Sequence, residues 1–238
     1  MEKLETLSMF WERTAGFSSD SLPHHAGFQT NDHLPLKISS DGHMETFIGS
    51  TVVFPLPEYV RQEIASVQAR LYHRCAPVLA EPLEASSFHI TLHDLLSGKP
   101  SQELRCRIEH AQGPALQCVK RITETRETVR LHSTALFNMV GTSMVLGFAP
   151  ADEESCSRLM RYYELLQEVV HLNYPLTPHV TVSYFRPGYI TAEYVAKLQE
   201  TIDEVNSRQN RIFVELPAET LEYQTFSDMN HYDMFENR

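Results

Sequence analysis

Two short segments carry residues that could do acid-base chemistry: His89-Ile90-Thr91 and His179-Val180-Thr181, about 90 residues apart, each inside an apolar, β-branched run. A strand sends residues i and i+2 to one face, so each histidine points with its threonine while Ile90 and Leu92, or Val180 and Val182, take the buried side. Brought together, two such strands would present two imidazoles that titrate near neutral pH and two hydroxyls that can donate to an anion. Phosphodiester cleavage needs a base for the attacking oxygen, an acid for the departing oxygen, and donors for the non-bridging oxygens. The four side chains cover those roles in a scheme that calls on no metal and no other cofactor. One His-x-Thr is a weak signal. Two copies, each at the same place in a repeated order of elements, point to a site built twice.

The elements that must position them also come in pairs. Phe47 to Pro55 reads as a strand, Glu58 to about Cys75 as a helix through Val60, Ile64, Val67 and Leu71, Ser87 to Leu92 as the first histidine strand, and Gln102 to about Ala111 as a helix. The order then recurs. Ser143 to Phe148 is a strand, Asp152 to about His171 a helix, Thr177 to Phe185 the second histidine strand, and Thr191 to about Ser207 a helix with Thr191 as its expected cap. Thr128 to Val140, Arg211 to Leu216 and Leu221 to Phe226 alternate like further strands, with a turn at Gly141-Thr142. Two copies at so long a period do not make a solenoid. The pattern predicts an α+β fold, bilobal and duplicated, in which two antiparallel sheets face a central cleft with helices outside. A single domain over 47–238 would divide into lobe 1 at about 47–127 and lobe 2 at about 128–238. Residues 1–46 differ, being punctuated by Ser18, Ser19, Ser21, Pro23, Gly27 and Asp41-Gly42, and predict an N-terminal arm, partly docked, with a short helix near Leu4 to Trp11.

The chain has 238 residues, 42% of them hydrophobic, enough to bury a sizeable core. Its formal net charge of -11 opposes sequence-independent attraction to long duplex nucleic acid and leaves a small nucleotide or short oligonucleotide as the expected partner. Cys75, Cys106, Cys118 and Cys156 form no C-x-x-C pair and read as reduced thiols. No run approaches the roughly 20 apolar residues of a membrane span, and nothing resembles a signal peptide, so no membrane association and a cytoplasmic location are expected. A monomer is expected, because the repeat supplies both half-sites within one chain.

The doubled motif resembles the signature of the 2H phosphoesterase superfamily (cyclic phosphodiesterase or LigT-like), in which each of two lobes carries His-x-Thr/Ser followed by an apolar residue. The matching residues are His89, Thr91, Leu92 and His179, Thr181, Val182, and the resemblance covers about residues 47–226. It implies a metal-independent phosphoesterase that hydrolyses a cyclic phosphate or phosphodiester of a nucleotide or short oligonucleotide, such as a 2′,3′-cyclic phosphate, ADP-ribose cyclic phosphate or a 2′-5′ linkage. It also implies His89 as general acid, His179 as general base, and Thr91 and Thr181 on the phosphate oxygens; the symmetry of the motifs leaves the reverse assignment open. Lys37, Asp41-Gly42 and Phe47-x-Gly49-Ser50-Thr51 look like the opening of the first lobe in an uncharacterised microbial branch of that superfamily.

Neighbouring residues add candidate substrate contacts. His93, four residues beyond His89, is expected on the side of Thr91; Ser183 and Phe185 are expected to continue the face of His179, with Tyr184 opposite. Phe185 could stack on a base and Arg186 could pair with a phosphate. His24-His25, His33 and His43 lack the spacing of a compact metal site, and the arm that carries them could lie over the cleft. A nucleotide-binding module without significant catalysis, and an RNA ligase acting in the reverse direction, are the alternative functions.

Overall fold

The computed structural model describes residues 4–17, 21–207 and 211–234; Ser18 and Ser19, read as breaks in the arm, lie outside them. The repeated half is built from β2 (Ile48–Pro55), α2 (Glu58–Cys75), β3 (His89–Gly98) and α3 (Gln102–Thr123), and again from β5 (Ser143–Pro150), α4 (Glu153–Gln167), β6 (His179–Tyr184) and α5 (Ala192–Asn206). In each half the antiparallel strand pair is linked through a helix, and the histidine strand takes the edge of its sheet. Helices α3 and α4 start where polar side chains cap them: Ser101 accepts from the Leu104 amide and Asp152 from the Ser155 amide. Thr191 does precede α5, but its side chain makes no capping bond; its carbonyl accepts from Val195 instead. Helix α3 runs past the expected stop near Ala111, crossing Gly113-Pro114 to reach Thr123, because the buried stripe of Ala115, Cys118, Val119 and Ile122 outweighs one bond lost at the proline.

Three further strands complete the sheets. β4 (Thr128–Met139) forms a hairpin with β5, and β8 (Phe213–Pro217) adds to its far side, giving the order β6-β5-β4-β8. The hairpin turns at Val140-Gly141, both at positive φ (44° and 71°), the primed geometry that matches strand twist. β9 (Glu222–Phe226) and β10 (Tyr232–Met234) then return to the first sheet, giving β10-β9-β2-β3. A division of the chain near 127 therefore does not describe the sheets. β5 obtains its inner partner by a hairpin, whereas β2 obtains its own only when the C-terminal strands cross back between the lobes.

The arm is woven into the body. Helix α1 (Leu7–Thr14) buries Phe10 and stacks Trp11 on His132, with ring centroids 5.7 Å apart. β1 (Phe28–Gln29) pairs with β7 (Tyr189–Ile190), just beyond the second histidine strand. Leu22, Leu34 and Ile38 join the core that the two lobes share.

Candidate active site

Each histidine strand carries the same irregularity. Thr91 lies opposite Val53 and His93 opposite Val52, leaving Leu92 as an extra, bulged residue. In the second lobe Thr181 lies opposite Val145 and Ser183 opposite Met144, leaving Val182 in that position. The bulge reverses the alternation of faces immediately after His-x-Thr. The cleft face therefore reads His89, Thr91, Asp94 in one strand and His179, Thr181, Tyr184 in the other.

The imidazoles are oriented identically. His89 donates from Nδ1 to the carbonyl of Ser87 at 2.7 Å, and His179 from Nδ1 to the carbonyl of Thr177, also at 2.7 Å. A carbonyl only accepts, so each Nδ1 carries a proton and each Nε2 is left as the reactive atom. Neither Nε2, and neither the Thr91 nor the Thr181 hydroxyl, has a hydrogen-bond partner among the described residues. Burial pushes the His89 pKa down to about 4, against the upward pull of the Ser87 carbonyl and Asp94. Burial also lowers that of His179, with the Lys37 charge acting in the same direction and the Thr177 carbonyl and Asp94 opposing. Without a ligand both rings are neutral at pH 7.

All four side chains line one cavity of about 840 Å³, within the range of small-molecule sites. One wall is aromatic: Phe47 stacks on Phe226, which meets Tyr232, and the Tyr232 ring stands edge-on to His89 at 4.8 Å between centroids. Lys37 lies across the rings of Phe47 and Tyr184, at 5.1 and 5.8 Å. On another side Asp94 accepts a hydrogen bond from the Tyr174 hydroxyl at 3.0 Å. Arg13 reaches the cavity from α1 but is held bidentately by Glu5 at 2.8 and 2.9 Å. Two further N–H groups go to the Thr177 hydroxyl and the Leu176 carbonyl.

Of the three expected contacts, His93 borders the cavity from a buried position, whereas Phe185 and Arg186 do not line it. His93 turns away from Thr91 toward α4: it is 1% exposed, its ring packs on Tyr163, and Nε2 meets Gln167 at 3.4 Å. Phe185 is fully buried against Phe28 and cannot stack on a ligand; Tyr184, expected on the opposite face, lines the cavity instead. Arg186 is exposed outside the cavity, with its guanidinium close over Gly42. His24, His25, His33 and His43 do not line the cavity, and among the described residues no three His, Cys, Asp or Glu side chains gather as a metal-binding group. Strict alternation misses Asp94 and Tyr184, and nothing in the sequence marks Tyr174 or Tyr232. Lys37, Phe47 and Thr51, by contrast, belong to the upstream segment singled out from the sequence and all line the cavity.

Among solved structures, the conserved protein of unknown function ATU0111 from Agrobacterium tumefaciens str. C58 is similar with a TM-score of 0.64 and 21% identity, over 87% of this chain and 93% of that one. TT0787 of Thermus thermophilus is similar with a TM-score of 0.50 and 14% identity, over 79% and 95%. E. coli LigT complexed with 3′-AMP gives 0.45 and 13%, over 80% and 96%. The first two likenesses are of fold. No protein-family model matches the chain, and no curated protein matches it. Among the described residues no helix is long and apolar enough to cross a membrane.

Proposed function

We propose that this protein is a phosphoesterase that opens a cyclic phosphate or phosphodiester of a nucleotide or short oligonucleotide by paired histidine acid-base catalysis. The observation that carries the reading is the duplication of one local geometry: His-x-Thr, a bulge, and an Nδ1–H held by the carbonyl two residues earlier, in both lobes and around one cavity. Water attacks phosphorus while His179 Nε2 takes its proton. The bond to the leaving oxygen breaks as His89 Nε2–H supplies a proton to that oxygen. One water is added and the protein's proton count is unchanged; exchange with solvent resets the pair. Burial favours the neutral form of both rings, with Lys37 adding to it at His179; the symmetry of the two motifs also permits the reverse order of roles. Thr91 and Thr181 donate to the non-bridging oxygens.

The test is turnover of 2′,3′-cyclic nucleotides, ADP-ribose cyclic phosphate and 2′-5′ oligonucleotides in the presence of a chelator. His89→Ala and His179→Ala should each lose roughly 100- to 10,000-fold in rate, the scale of general acid-base assistance. A single mutant that retains near-normal turnover on every substrate rules out the paired mechanism.

A further inference from the structure

The fixed charges of the cavity are few and unevenly committed. Arg13, Lys37 and Asp94 are the Lys, Arg, Asp and Glu side chains lining it among the described residues. Glu5 neutralises Arg13 in a bidentate pair. Lys37 forms no ion pair among the described residues; aromatic rings hold it in place. Asp94 has Tyr174 as a hydrogen-bond donor but no cationic partner among the described residues. One cation and one anion thus line the same cavity as the two neutral imidazoles, and both act electrostatically on His179.

We propose that this pair makes the cavity selective for a nucleoside-sized phosphodiester with a single negative charge: Lys37 binds its phosphoryl oxygens, and Asp94 repels any ligand with additional phosphates. The aromatic wall from Phe47 to Tyr232 provides the apolar surface for the nucleoside. This selectivity rests on the phosphoesterase reading for its purpose but not for its measurement. It also gives hydrolysis a direction. The diester monoanion becomes a monoester whose second ionisation lies near pH 6, so product gains charge that Lys37 alone does not balance. Asp94 then favours release. The chain's overall charge of -11 acts in the same direction on polyanions.

The discriminating ligands are nucleoside 2′,3′-cyclic monophosphates of all four bases and the same compounds carrying a 5′-phosphate, which share every recognition group except the extra charge. Affinity is measured calorimetrically in the His89→Ala protein, so that binding is read without turnover. The parent compound of at least one base should bind ten-fold or more tighter than its 5′-phosphorylated form, and Asp94→Asn should narrow that gap. Lys37→Met should weaken the parent by about 10- to 100-fold, the range of a hydrogen bond to a charged group, with Lys37→Arg retaining most of the affinity. Equal or tighter binding of the 5′-phosphorylated compounds, unchanged affinity in Lys37→Met, or no binding of any parent compound overturns the proposal. Failure of the wild type to turn over a compound that shows this ordering would instead sink the phosphoesterase reading and leave the charge selection standing.

Discussion

At the scale of single residues, the proposed acid-base reading sets the two histidines a problem that a bound phosphodiester would have to solve. A general acid needs a proton, yet burial leaves both rings neutral at pH 7, with His89 titrating at about 4. An anionic phosphoryl group beside His89 opposes that desolvation and raises its pKa, so binding takes up a proton wherever the pH lies between the free and bound values. A 2′,3′-cyclic nucleotide has no ionisation of its own in this range. Its affinity for the His179→Ala protein, which keeps His89, should therefore strengthen as pH falls from 8 to 5. Calorimetry in buffers of different ionisation enthalpy should report uptake approaching one proton per ligand at the lower end. An affinity flat across that range, with no buffer dependence, removes His89 as the group that acquires the acid proton. The identity of the histidines and threonines was legible because i and i+2 share a strand face. Of the groups that tune them, Lys37 lies in a segment the sequence singled out, but Asp94 was not legible, nor was the cavity position of Tyr184, since which strand residue reaches the cavity depends on where the strand slips register.

At the scale of elements, the two lobes build the same histidine geometry from different supports. Ser87, whose carbonyl orients His89, is held within its own short turn by Glu84. Thr177, whose carbonyl orients His179, is gripped by Arg13 from the arm helix α1, which bonds its hydroxyl at 3.0 Å and the preceding carbonyl at 2.8 Å. A segment that reads from the sequence as a partly docked arm thus positions one of the two cavity histidines; composition shows its loops, whereas where it docks depends on contacts more than 140 residues away in sequence, such as Leu7 to Glu153. Arg13→Ala should lower kcat by roughly ten-fold or more while leaving KM near its original value, since misplacement of a reacting group acts on the transition state. Arg13→Lys, which lacks the fork, should rescue little. Added guanidinium should restore part of the rate, and the imidazole nitrogen shifts of His179, unlike those of His89, should reveal a mixture of tautomers. A rise in KM alone would show that Arg13 binds substrate directly instead.

At the scale of the whole molecule, the alternation of strands and helices was readable as a duplicated α+β chain. The return of β9 and β10 to the first sheet was not, because a short edge strand carries no local mark of which sheet it will extend. That closure brings Tyr232 against His89 and helps bury the ring, and burial of this kind links the fold to pH. His89, His93, His132 and His179 all have pKa values lowered by burial. For each, the unfolded chain binds a proton more readily, so the stabilisation is complete above about pH 6.5 and declines as pH falls toward the folded value, about 4 for His89. Each such histidine contributes a slope of up to about 1.4 kcal/mol per pH unit within its window. His231, raised by Asp228, works in the opposite sense but is exposed and contributes little. The midpoint of thermal unfolding should therefore fall steadily from pH 7 to 5, before the carboxylates Glu81, Glu127 and Asp152, whose pKa values their partners lower, begin to protonate. His132→Phe retains an aromatic ring against Trp11 and Phe213 and should reduce the slope between pH 6.5 and 5. A midpoint constant from pH 7 to 5 would mean that these rings are already accessible to protons in the folded chain. The paired histidines would then titrate as free imidazoles, without the burial that in the proposed mechanism makes phosphate binding the event that charges His89.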